Sequence, residues 1–280
     1  MSQLSLFAPD PDAVPEKPLG DHVERMTLLV VVKAAPNPSQ TYGETVCVAA
    51  LRIDPGTSGW IRLYPINFRA LEDPQAFRKY EILTVEAKPA PQDSRPESWR
   101  PNIGSLTRGR YLSTWEKRVP WISDYIEDSM CHLLQEVREN PAARSLAAIR
   151  PAEVDDLIIE RHPGWTPEET AKIEAYVRQL DLFDQGPRRP LEAPRFKAWY
   201  RYRCHAPACP GHRQGLLDWE FVAHQRNMGN RDDAEICAEL RKRWLEHMCG
   251  ADHDTAFYVG NQAKRRHVFS VLGVFYPSRA

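Results

Sequence analysis

No stretch of this sequence approaches the roughly 20 apolar residues that a membrane-spanning helix needs. The longest apolar run, Leu28 to Val32, has the length of a strand. The opening Met-Ser-Gln-Leu-Ser-Leu-Phe-Ala-Pro-Asp has neither a basic region nor a signal-peptide core. The expected address is therefore cytoplasmic, with no membrane partner. Cysteine is sparse, at six in 280 residues, and in a reducing compartment these read as thiols or metal ligands, not disulfides. A phosphate loop, a dinucleotide fingerprint and a Ser-His-Asp order are all missing, so no complete catalytic constellation is legible. Nor is there an excess of either charge, with 37 Lys and Arg against 38 Asp and Glu.

What charge there is lies unevenly. Trp60 to Val119 is basic, Trp121 to Asp184 acidic, and bases return from Arg195 to Arg243 and in Lys264-Arg265-Arg266. That order fits two segments that touch an anionic polymer on either side of one that does not. Pro9, Pro11, Pro15 and Pro18 mark residues 1–22 as a flexible tail. Strands are predicted at Leu28–Val32, Thr45–Ile53, Trp60–Tyr64 and Tyr80–Val85, the middle two paired across Asp54-Pro55-Gly56-Thr57-Ser58-Gly59. They predict a small barrel or rolled sheet over residues 23–112.

Apolar spacing from Trp121 to Val137 predicts one helix carrying Cys131 and His132 as structural residues. A second helix starts at the capping box Thr166-Pro167-Glu168-Glu169. These define a helical, acidic part over residues 113–186, ended by a linker with Pro187, Pro190 and Pro194. Residues 187–280 then hold a strand from Phe196 to Arg203, a helix from Asp232 to His247 and a closing hairpin. The expected fold class is α+β: an OB-like barrel, a helical middle and a C-terminal α+β part.

The sharpest chemical feature is Cys204-His205-Ala206-Pro207-Ala208-Cys209-Pro210-Gly211-His212. Pro210-Gly211 supplies a tight turn that aims the Cys209 sulfur and the His212 ring at one point. Thiolate and imidazole suit a tetrahedral Zn2+, and a structural zinc is expected. Cys204, Cys209 and His212 make three ligands; Cys249 is the expected fourth, with His253 and His205 as alternatives.

Trp60-Ile61-Arg62-Leu63-Tyr64 alternates so that Trp60, Arg62 and Tyr64 share one face of a strand. An aromatic–Arg–aromatic stripe can stack single-stranded bases, with Arg69, Arg95 and Arg100 extending it toward phosphate. The alternative is a core face whose arginine is paired with Glu44 or Glu72. Cys47-Val48-Ala49-Ala50, a turn and Gly59-Trp60-Ile61-Arg62 resemble the opening of the dual OB-type domains of bacterial conflict systems. That resemblance implies a barrel and carries Trp60 and Arg62 alone as functional positions.

Gln3-Leu4-Ser5-Leu6-Phe7 and Gln179-Leu180-Asp181-Leu182-Phe183 both resemble the pentapeptide by which bacterial proteins dock on the DNA polymerase sliding clamp. The resemblance implies a recruitment segment whose Gln3, Leu4, Leu6 and Phe7 contact the clamp, whereas Leu180 and Phe183 close a helix. Asp218 and Glu220 are the candidate catalytic carboxylates, placed to bind magnesium for phosphodiester hydrolysis. The reading that follows is a nucleic-acid-binding protein with a structural zinc, in DNA repair or anti-phage defence. A metal-dependent nuclease and a protein-binding adaptor are the alternatives.

Overall fold

Alternating apolar runs become strands that close on themselves. A computed structural model describes residues 20–39, 43–67, 71, 76–140, 142–178 and 190–279. Both pentapeptides and Arg69 lie outside these described residues. The first half forms β1 (Glu24–Lys33), β2 (Asn37–Ser39), β3 (Gly43–Asp54), β4 (Thr57–Ile66), β5 (Glu81–Pro89), β6 (Ser98–Pro101) and β7 (Thr107–Tyr111). β3 and β4 make the expected hairpin, with Asp54 opposite Thr57 and Gly56 at φ 75°, where a side chain would be strained. β1 pairs antiparallel with both β3 and β5, and β6 joins β5 antiparallel and β4 parallel. The circuit β1-β3-β4-β6-β5-β1 is thereby closed, an OB-type Greek-key barrel. Val30, Val48, Leu63 and Val85 fill its interior. Their neighbours in sequence point outward, as the strand period requires.

The second half contributes α1 (Trp115–Ile122), β8 (Ile126–Glu127), α2 (Met130–Glu139), β9 (Leu146–Ile149), β10 (Pro151–Arg161), α3 (Pro167–Arg178), β11 (Phe196–Cys204), β12 (His212–Gly215), α4 (Trp219–Asn227), α5 (Asp233–Arg241), β13 (Ala256–Gln262) and β14 (Arg265–Phe275). The single helix predicted from Trp121 to Val137 is in fact two. Ile126–Glu127 pairs with Ala148–Ile149, and the Ser129 hydroxyl then accepts from the His132 N–H to start α2 afresh. The capping box of α3 forms as predicted: the Glu169 carboxylate accepts from the Thr166 N–H at 2.9 Å, and Thr166 Oγ1 from the Glu169 N–H at 3.3 Å.

Only Arg150 separates β9 from β10, and together they act as one bent strand. β10 pairs antiparallel with β11, and β11 with β12. Leu216, next after β12, bridges Val271 of β14 in parallel, and β14, β13 and β9 continue antiparallel. This is the strand order of the first barrel again, with the same parallel closure. The chain is therefore built of two OB-type barrels, and the expected boundary at residue 186 falls inside the second. Pairing of β10 with β11 crosses it. Register breaks at Pro151/Glu153 and Val154/Asp156 interrupt the alternation by which β10 would be known as a strand.

The second barrel encloses Leu157, Ala198, Tyr200, Tyr202, Phe257 and Val271. Its two interior tyrosines are satisfied, Tyr200 donating to Trp244 O at 2.5 Å and Tyr202 to Gln214 Oε1 at 2.9 Å. A third apolar cluster lies between the barrels: Leu29, Val31, Ala49 and Leu51 of the first meet Leu146, Ala148, Tyr258, Leu272 and Phe275 of the second. Burying each large side chain stabilises by roughly 1.5–3 kcal/mol, so parting the barrels would cost on the order of 10 kcal/mol. The two stay together.

Candidate metal centre and binding face

The loop between β11 and β12 gathers the expected ligands. Cys204 ends β11, Cys209 sits in the loop and His212 opens β12, turned inward by Gly211 at φ 86°. The Cys204 N–H donates to Cys209 Sγ at 3.4 Å, and Cys209 Sγ lies 3.3 Å from His212 Nε2. The fourth member is Cys131, from the first turn of α2, 3.6 Å from Cys204 Sγ and 3.6 Å from His212 Nε2. All four ligand atoms lie within 4.8 Å of one another, a group that could hold a metal ion. Tetrahedral bonds of about 2.0–2.3 Å need ligand atoms roughly 3.5–3.8 Å apart, so the cluster has nearly the right size.

Its electrostatics favour a cation. Burial, and then the neighbouring sulfurs of Cys204 and Cys209, push the Cys131 thiol up to about 12. Burial also opposes ionisation of Cys204, but backbone donors at Ala206 and Cys131 and the His212 and Cys209 side chains bring it down to about 5. A divalent ion would offset the repulsion between neighbouring sulfurs that opposes ionisation of Cys131.

Cys249, the expected fourth ligand, is elsewhere. Its thiol lies 3.6 Å from Trp244 O, and burial pushes it up to about 12. It follows the π-helical turn Lys242–His247 that extends α5, which faces the barrel core and not the β11–β12 loop. The assignment of Cys131 to structural packing is likewise corrected. Its partners follow 73 and 81 residues later, a separation that no local spacing encodes.

Trp60, Arg62 and Tyr64 do share the outer face of the first barrel, but this outer face is not the protein surface. Trp60 meets Tyr125 at 5.9 Å and Tyr258 at 6.3 Å between ring centroids, both edge-on. Arg62 is 3% exposed and donates to Ser145 O at 3.1 Å, Ser145 Oγ at 2.9 Å and Cys47 Sγ at 3.0 Å. Arg95, also buried, pairs with Asp93 at 2.6 Å and donates to Asn261 O at 2.6 Å. Glu97 accepts from the Ser145 and Leu146 N–H groups. The expected stacking face is thus closed by β9 and β13 around Trp60 and Arg62, and among the described members of the proposed set only Tyr64 and Arg100 are exposed.

The corresponding strands of the second barrel, β11 and β12, leave their outer face open. Along β11, Phe196, Ala198, Tyr200, Tyr202 and Cys204 point inward, while Lys197, Trp199, Arg201 and Arg203 point out. Arg213 of β12 stands opposite Arg201, and Gly215 opposite Trp199. Lys197 Nζ lies 4.9 Å from the Trp199 ring centroid, and the Arg213 guanidinium carbon 4.5 Å from it. Those two cations also reach Glu160, at 3.7 and 3.6 Å. Arg201 and Arg203 form no ion pair among the described residues. The signal was there to be read, since Phe196–Cys204 alternates without a break.

Asp218 and Glu220 flank a different cation. Asp218 caps α4, accepting from the Glu220 N–H at 2.7 Å, and its other oxygen lies 3.6 Å from Lys79 Nζ. Glu220 is 3.3 Å from the same ammonium. Burial, with the Glu220 charge behind it, pushes Asp218 up to about 7 against the pull of Lys79. Despite burial, Glu220 and Asp218 hold Lys79 above its usual range. The Lys79 ammonium stands where a magnesium ion was expected, so these carboxylates form an inter-barrel ion pair.

Residues 24–124 match a domain of unknown function, DUF8758. This segment spans the first barrel and α1. No curated protein matches the chain. No helix among the described residues is long and apolar enough to cross a membrane. A second domain of unknown function, DUF8757, matches residues 126–280, the second barrel with its Cys/His cluster and more than half of the sequence, and the chain belongs to the DUF8757 family.

Proposed function

We propose that this protein binds single-stranded nucleic acid on the outer face of β11 and β12, and that the Cys131, Cys204, Cys209 and His212 cluster holds a structural zinc that fixes this hairpin to α2. The carrying observation is the row Lys197, Trp199, Arg201 and Arg203 on the exposed side of one strand. An OB-type barrel presents this same pair of strands to oligonucleotides. A tryptophan offers every base a stacking surface, and the two arginines without ion-pair partners among the described residues offer phosphate contacts. Lys264 and Arg265, in the turn from β13 to β14, extend the positive charge along a second loop that such barrels use. Three thiolates and one imidazole favour zinc over magnesium or calcium, which take oxygen.

Binding of fluorescent single-stranded oligonucleotides at several salt concentrations tests the reading. Affinity should fall with salt, and Arg201→Glu with Arg203→Glu should flatten the dependence by about 0.7 for each phosphate no longer neutralised. A folded double variant with unchanged slope contradicts the proposed face. No binding at any salt leaves the adaptor as the better description. Recruitment through Gln3 to Phe7 is a separate proposal resting on sequence alone; deletion of the segment, followed by titration with a sliding clamp, tests it.

A further inference from the structure

We infer that a cleft at the end of this face holds one unstacked nucleobase. This deepens the proposed function and rests on it. A hollow of about 230 Å3 opens beside Trp199 and Gly215, lined also by Trp165, Lys197 and Arg226 and by Asn37 of the first barrel. It is smaller than the roughly 300 Å3 at which pockets for drug-sized ligands begin, so its occupant is a single ring system.

Both tryptophans are held in place. Trp165 donates its indole N–H to Leu191 O at 2.8 Å and meets the His162 ring edge-on at 5.4 Å. Because that N–H is already satisfied, Trp165 offers a ring and not a donor. Trp199 lies over Gly215, where an added Cβ would stand 3.6 Å from its indole nitrogen. The ring therefore packs on the sheet at ordinary contact distance, and the cleft opens next to it. Walls of flat apolar rings suit a planar aromatic ligand. The charged groups at the cleft narrow its class further: Lys197 and Arg226 are cations and Glu192 is the one carboxylate of the lining, so positive charge is in excess, and Arg226 donates to Glu192 O at 3.1 Å. They favour a ring that carries phosphate. The Asn37 amide makes no side-chain hydrogen bond among the described residues, and an amide can both donate to and accept from a base edge.

Continuity decides between a free nucleotide and a base within a strand. Trp199 and Lys197 belong both to the cleft and to the open face, so a strand lying along Arg203, Arg201 and Trp199 runs directly to the opening. A base turned out of the strand there enters the cleft while its phosphates stay on the arginines, as in other proteins that read splayed bases.

Scanning an oligonucleotide with a single abasic site at each position tests this in the full-length protein. One position should weaken binding about five- to a hundredfold, others far less, and the difference should vanish in Trp165→Ala. Should Trp165→Ala fail to fold, Asn37→Ala, also on the lining, serves instead, with partial loss of the difference expected. Uniform cost along a strand that still binds overturns the cleft and leaves the open face standing. Failure of every oligonucleotide to bind overturns both. Equal competition by a mononucleotide, with no position effect, assigns the cleft to a free nucleotide and contradicts the strand.

Discussion

The two barrels share one strand order and put the same pair of strands to different uses. In the first, the outer face of β3 and β4 carries Ala49, Leu51, Trp60 and Arg62 and is covered by β9, β13 and β14 of the second. In the second, the outer face of β11 and β12 carries Lys197, Trp199, Arg201 and Arg213; Arg201 and Arg213 are exposed, and Lys197 and Trp199 are half-buried beside a hollow. Both faces hold a tryptophan and an arginine on alternate positions. Their surroundings decide the role: Arg62 meets a backbone carbonyl and a hydroxyl, whereas Arg201 and Arg203 are exposed. Composition alone would rank the faces equal; what packs on each one separates them.

The largest effect should come from the metal loop, which has no counterpart in the first barrel. If the cluster holds the proposed zinc, Cys131→Ala should abolish its binding and lower the thermal midpoint by on the order of 10 °C, because the ion would tie α2 to the β11–β12 hairpin. Cys249→Ala should keep the full metal content. Metal analysis with melting curves on both variants would reverse the ligand assignment if the losses were exchanged.

Next in size is the closed face. Arg62→Ala removes three hydrogen bonds to buried partners and should cost roughly 3 kcal/mol of unfolding free energy. Oligonucleotide affinity of the folded fraction should not change. Denaturant titration and a binding curve on the same sample separate the two statements. Loss of affinity without loss of stability would return nucleic acid to the first barrel.

The smallest effect concerns the ion pair joining the barrels. Asp218 is raised to about 7 in the folded protein from 3.8 when exposed, so between those values the folded state binds a proton that the unfolded state has lost. Its contribution is complete below about pH 4 and fades as pH rises toward 7. Lys79 stays protonated throughout this range in both states, and Glu220, held below its ordinary 4.5, adds an opposing slope only near that value and below. Melting midpoints from pH 4 to 8 should decline more steeply for the native protein than for Asp218→Asn; parallel curves would show that Asp218 does not titrate there.

Much of this architecture was legible, and the rest failed for identifiable reasons. The hairpin around Gly56, the capping box at Thr166 and the strand from Phe196 all rest on short-range chemistry and form where expected. Cys204, Cys209 and His212 lie within one loop and could be grouped from spacing. Cys131 could not, because the contact that recruits it is tertiary. Register breaks hid β10 and left Asp155 and Asp156 without an element of their own inside the part expected to be helical and acidic. Trp60 and Arg62 were placed on the correct side of the strand, but the sequence of one barrel does not say whether a second will pack on it. The same alternation at Lys197, Trp199 and Arg201 was equally plain, and its significance emerged only with the repeated strand order.

The most direct measurement compares Trp60→Ala with Trp199→Ala in one oligonucleotide-binding assay, each variant first shown to be folded and metal-loaded. Trp199→Ala should weaken single-strand binding by about 1–3 kcal/mol, while Trp60→Ala should leave it unchanged and lose stability instead. Full-strength binding by Trp199→Ala, together with loss in Trp60→Ala, would contradict the assignment of the open face.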